Sequence, residues 1–91
     1  MRILLTLALV AAVAGCATVT QGRERCADLL DTAWKELDLA KAQGFSGTVS
    51  YSKAAALLTR AKTNQMVEDY PECIDTAERA RFYIAESRKG R

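Results

Sequence analysis

From Arg23 to Gln43 apolar side chains recur at alternating intervals of four and three, at Cys26, Leu30, Ala33, Leu37 and Ala40, with Leu29 and Trp34 widening the stripe. Groups at that spacing share one face of a helix, so the segment is predicted to be an amphipathic helix. Gly44 follows the last periodic residues, where a glycine adopts the left-handed conformation that ends a helix, and Phe45 is expected to fold back on the apolar face. A loop over 44–49 leads to a second stripe, Tyr51, Ala54, Leu57, Leu58 and Ala61, with Ser50 as the expected N-cap. This helix is predicted to fade over 64–67. A third opens at Asp69-Tyr70-Pro71-Glu72: Asp69 is placed to cap, Pro71 falls in the first turn where its missing N–H costs nothing, and Glu72 completes a capping box. Its stripe is Cys73, Ile74, Ala77, Ala80 and Ile84, and it is expected to run to about Ser87.

Ahead of these helices the pattern changes in kind. Arg2 precedes an apolar run from Ile3 to Val13, then small residues and Cys16. A basic start, a short apolar run and small residues form a secretory signal peptide, and the run is too short for a hydrocarbon core that needs about 20 residues. Val13-Ala14-Gly15-Cys16 resembles the lipobox of bacterial lipoproteins, and the resemblance implies acylation of the Cys16 thiol, cleavage before it, and acylation of the new amine. Ala17, rather than an aspartate, follows the cysteine, which by the same resemblance implies an outer-membrane destination facing the periplasm. The chain then divides into a cleaved signal at 1–15, a lipidated tether at 16–22, a helical domain at 23–88 and a basic tail at 89–91.

Charge and composition narrow the function. Loss of the signal removes one of 13 cationic residues and leaves 12 against 11 acidic ones. A near-neutral domain lacks the clustered basic surface that nucleic acid demands. No histidine occurs anywhere, which removes the commonest general base and the commonest transition-metal ligand. Neither a Gly-rich phosphate loop, nor a Cys-x-x-Cys pair, nor a nucleophile elbow is present. The sequence therefore points away from an enzyme and implies no cofactor and no metal. Arg88-Lys89-Gly90-Arg91 is the one basic cluster, read either as cations complementing a helix C-terminus or as a contact for anionic lipid or cell-wall polymer.

Tyr51, Ala54, Leu58 and Ala61 recur 19 residues on as Tyr70, Cys73, Ala77 and Ala80, and Cys26, Leu30 and Ala33 fit the same register. The aromatic-to-alanine pattern from Tyr70 to Ala80 resembles the second helix of a tetratricopeptide motif, without that motif's Trp-Leu-Gly signature. The whole mature region is similar to small Gram-negative envelope lipoproteins with a tetratricopeptide-like fold and no assigned activity. The expected architecture is all-α: three helices running up, down and up, as a stack of tetratricopeptide-like hairpins or as a plain three-helix bundle.

In that arrangement the first and third helices are parallel, and Cys26 and Cys73 lie one turn into each, on core stripes at the same end. In a compartment that oxidises thiols the expected state is a disulfide; the other reading is two buried free thiols. On the third helix Phe82 falls about 140° from the core face centred on Ala77 at about 100° per residue. It is read as an anchor for a partner or a second copy, or as an incidental surface aromatic. The expected function is a lipid-anchored periplasmic helical interaction module or assembly accessory of the bacterial envelope, docking on an envelope protein or on itself; the alternative is a structural lipoprotein contacting peptidoglycan or membrane through its basic C-terminus.

Overall fold

The computed structural model describes the backbone of residues 2–91 and the side chains of residues 19–91. Three α-helices follow one another, α1 (Arg2–Ala42), α2 (Val49–Met66) and α3 (Tyr70–Ser87), and no strand occurs among the described residues. Cys26 of α1 lies beside Cys73 of α3, Glu36 beside Arg81, and Gln43 beside Arg88. The two helices therefore advance together, and α2 returns between them. The contact of α2 with α3 is the most extensive and that of α1 with α2 the least, so α3 is the element on which the other two pack.

Both predicted helix stops on α1 and α2 are present, but they are made differently. At the end of α1 the N–H of Gly44 donates to the Lys41 carbonyl and that of Phe45 to the Ala40 carbonyl. Gly44 takes φ 92° and Phe45 packs against the core, the paired bonds and apolar contact of a Schellman closure. At the end of α2 the same two bonds form, from Glu68 to the Gln65 carbonyl and from Asp69 to the Asn64 carbonyl. Here the left-handed position, φ 60°, is held by Glu68, a residue with a Cβ.

Four expectations need correction. The tether does not begin outside the helix: α1 is already formed over 19–22. A glycine inside a helix costs only about 1 kcal/mol relative to alanine, and the next turn offsets that by packing on α3. A Cβ built on Gly22 would stand 3.5 Å from that of Tyr70, and the Arg23 guanidinium donates to the Tyr70 hydroxyl at 3.1 Å. Ser50 is not the cap of α2. Thr48 is: its extended backbone lets Oγ1 accept from the Tyr51 N–H at 3.1 Å while donating to the Phe45 carbonyl at 2.9 Å. Ser50 lies inside the helix, buried, with its N–H on the Arg91 carbonyl at 3.1 Å. Asp69 occupies the N-cap of α3 without a side-chain capping bond, because its φ and ψ of −89° and 74° depart from the extended conformation that aims a cap side chain at the helix; the box with Glu72 is not closed. Trp34, finally, stands 38 % exposed outside the core, since it projects along the loosest of the three helix contacts.

The core contains Cys26, Leu30, Ala33, Leu37 and Ala40 from α1, Ala54, Leu58 and Ala61 from α2, and Cys73, Ala77, Ala80 and Ile84 from α3. Half are alanines. A buried leucine or isoleucine contributes about 1.5–3 kcal/mol, and only four such side chains are fully enclosed, so apolar burial alone leaves a domain of this size marginal. The alanines let the helix backbones approach, and Leu29, Tyr51, Leu57, Ile74 and Tyr83 seal the margins.

Candidate functional site

Cys16, the expected lipid attachment point, lies outside the residues whose side chains are described. The first side chain described after it is that of Val19. No described helix is long and apolar enough to cross a membrane.

Cys26 and Cys73 are joined as a disulfide with their Cα atoms 5.7 Å apart and both side chains fully buried. The bond ties α1 to α3 close to the end at which α3 begins. It takes both thiols out of any reactive role. Among the described residues no group of three metal-capable side chains occurs.

The outer face of α3 is organised by ion pairs to α1. Arg81 donates to both carboxylate oxygens of Glu36, at 2.8 and 3.1 Å to Oε1 and 3.3 Å to Oε2, and Arg25 pairs with Glu78 at 2.7 Å. The hydrogen bond and charge of Glu36 hold the Arg81 guanidinium more firmly protonated than usual. Exposed pairs of this kind contribute about 0–1 kcal/mol each; their value here is to fix the register of α1 on α3. Phe82 adjoins Arg81 and is 59 % exposed. Its ring meets the edge of Tyr83 with centroids 5.3 Å apart and planes at 78°, and the Lys53 ammonium stands 5.4 Å from the Tyr83 ring on the α2 side. Tyr83 is thereby clamped between two elements, and Phe82 is braced against it. One helical turn beyond Glu36, Leu39 is also exposed.

The basic C-terminus is not a loose tail. Lys89 and Arg91 both pair with Glu86, at 3.2 and 3.0 Å, and Arg88 donates to the Gln43 side chain at 3.0 Å. The Glu86 side chain is only 16 % exposed. Hydrogen bonds first from Lys89 and then from Arg91 hold its carboxyl below the usual carboxylate range. The Arg91 carbonyl accepts the Ser50 N–H, so the chain end closes on the start of α2.

Two open concavities accompany these features. A cleft of ≈ 460 Å³ beside the α1–α2 contact is lined by Trp34, Leu30, Ala27, Asp31, Lys62 and Gln65. A broader hollow of ≈ 530 Å³ runs along α1 past Glu24, Arg25 and Asp28. No histidine, cysteine or serine is among the residues that line them. No protein-family model, curated protein or solved structure matches the chain.

Proposed function

We propose that this chain is a lipid-anchored interaction module of the bacterial envelope, carried at Cys16 on the periplasmic side of the outer membrane and docking through the outer face of α3 on an envelope protein or a second copy. The reading of the anchor rests on Val13-Ala14-Gly15-Cys16, and its resemblance to envelope lipoproteins with tetratricopeptide-like folds rests on the aromatic-to-alanine pattern of α3. The observation that carries the docking role is Phe82, exposed, braced by Tyr83 and rimmed by fixed charges on a helix stapled to its neighbour. A rigid aromatic gives up little conformational freedom when it is covered, and burying it contributes about 1.5–3 kcal/mol. The Cys26–Cys73 disulfide, which holds α3 on α1, supports a binding role by keeping that face rigid. Attachment through the basic C-terminus is the weaker alternative, because Lys89 and Arg91 already share Glu86 and Arg88 holds Gln43.

The test is crosslinking of the intact lipoprotein in envelope preparations. Phe82→Ser is expected to leave the thermal midpoint nearly unchanged and to remove the crosslinked species. Cys16→Ala is expected to abolish acyl labelling and membrane attachment. Retention of the crosslinked species by Phe82→Ser sinks the docking face; acyl labelling that survives Cys16→Ala sinks the anchor.

A further inference from the structure

Where α2 turns into α3, two consecutive residues, Met66 and Val67, are 74 % and 69 % exposed, the highest values among the large apolar side chains described. Turns on a protein surface are ordinarily polar. This one is also held rigidly: the bonds from Glu68 and Asp69 back to α2 fix its path. Its position in the bundle is set by α1. Gly22 lies against Tyr70, and the Arg23 guanidinium reaches both the Tyr70 hydroxyl and the Glu68 carboxylate. Val19, another exposed apolar side chain, lies one helical turn further out on α1, beyond the end of the bundle. Three apolar groups therefore project at one end, and at the opposite end, one α2 length or about 27 Å away, lie the α1–α2 loop, the folded-back C-terminus and a single exposed apolar side chain of comparable exposure, Val49.

The chain leads from this apolar end directly to the anchor. Cys16 stands three residues before Val19, and three residues span at most about 10 Å in any conformation. An acylated Cys16 thus holds the Met66–Val67 turn against the lipid, whereas the far end is kept clear of it. The nearby charges are mixed, with Arg23 and Lys62 against Glu68 and Asp69, so electrostatic capture by an anionic surface is not the driving term. We propose that Met66, Val67 and Val19 seat in the headgroup region of the leaflet that carries the acyl chains, standing the bundle upright with Phe82 facing sideways. The inference rests on acylation of Cys16 and deepens that reading by assigning the surface on which the protein stands.

The experiment uses the full chain, purified in its acylated form and reconstituted in zwitterionic phospholipid vesicles with brominated acyl chains. In a Trp34→Phe background, single reporters are placed by Val67→Trp and, at the far end, by Ser46→Trp; both sites are exposed. Emission from position 67 is expected to shift to the blue and fall by roughly half, as for a side chain seated about 5–10 Å into the headgroup boundary. Position 46 is expected to be unaffected, and added salt to change neither result. If the protein floats with the vesicles but position 67 is quenched no more than position 46, the seating is wrong and the anchor stands. Equal strong quenching at both positions means that the bundle lies flat, which also overturns the proposal. Protein that carries no acyl chain and does not float removes the anchor, and the proposal with it.

Discussion

Two glutamates show how much a single side chain decides in so small a domain. Glu86 collects two cations, and since its folded-state pKa lies below the unfolded one, the pairing stabilises the fold above the ordinary carboxylate value of about 4.3 and is lost as pH falls through the lowered value. Glu86→Gln is expected to lower the thermal midpoint at pH 7, with the deficit shrinking below about pH 4; a deficit independent of pH would show that packing, not charge, matters there. Glu68 holds a left-handed backbone that costs a residue with a Cβ about 1–2 kcal/mol. Glu68→Gly is expected to stabilise by about 0.5–1 kcal/mol, less than the full cost because glycine gains unfolded-state freedom. The long 3.9 Å contact with Arg23 that it removes is exposed and contributes little. Chemical denaturation of the two proteins measures the difference. Neither effect is written in local sequence: nothing in a glutamate signals φ 60°, whereas Gly44 announces its own conformation. Thr48 and Ser50 are both cap-forming types, and only the Phe45 carbonyl, brought near by the Schellman turn, selects Thr48.

Among the elements, the stripes predicted from apolar spacing contain every buried apolar residue of all three helices, with Leu29, Tyr51, Leu57 and Ile74 partly buried at their margins, because periodicity reports a face and each face found a neighbour. The register between helices was legible at one point only, Cys26 with Cys73, 47 residues apart. Once that pair is aligned, Glu36 with Arg81 and Gln43 with Arg88, each 45 apart, follow from parallel helices. Trp34 fell outside the core because spacing cannot tell which flank of a stripe receives the tighter neighbour. The staple is the strongest single contribution to the bundle. Closing a 47-residue loop is worth about 4 kcal/mol in chain entropy. Reduction, or Cys73→Ala, is therefore expected to lower the midpoint by about 15–30 °C at about 4–8 °C per kcal/mol. Thermal scans with and without reductant check this, and overlapping scans would mean that the alanine-rich core suffices alone.

At the scale of the whole molecule, the start of α2 depends on the last residue of the chain. Deletion of residues 89–91 strips Glu86 of both cations and leaves the buried Ser50 N–H without its acceptor. An unmade bond at a buried donor costs about 1–3 kcal/mol, and a loss of that size in a urea titration is expected, with the α3 face and its crosslinks intact. A truncated protein of full stability but without crosslinks would return the role of attachment to the basic tail.

The position of the disulfide also decides how the molecule bears a mechanical load. A pull delivered at the start of the domain and resisted by a partner on Phe82 crosses from α1 to α3 at Cys26–Cys73. It then runs down nine residues of α3 to the aromatic. That path is covalent from end to end, and the lower turns of α1, both loops and all of α2 lie off it. Tension applied between the start of the domain and Phe82 therefore leaves the weakest helix contact in the bundle, α1 with α2, unstressed. With the bond reduced, the covalent path for the same pull runs through every helix in turn, and only the packing and ion pairs of α1 on α3 oppose unzipping.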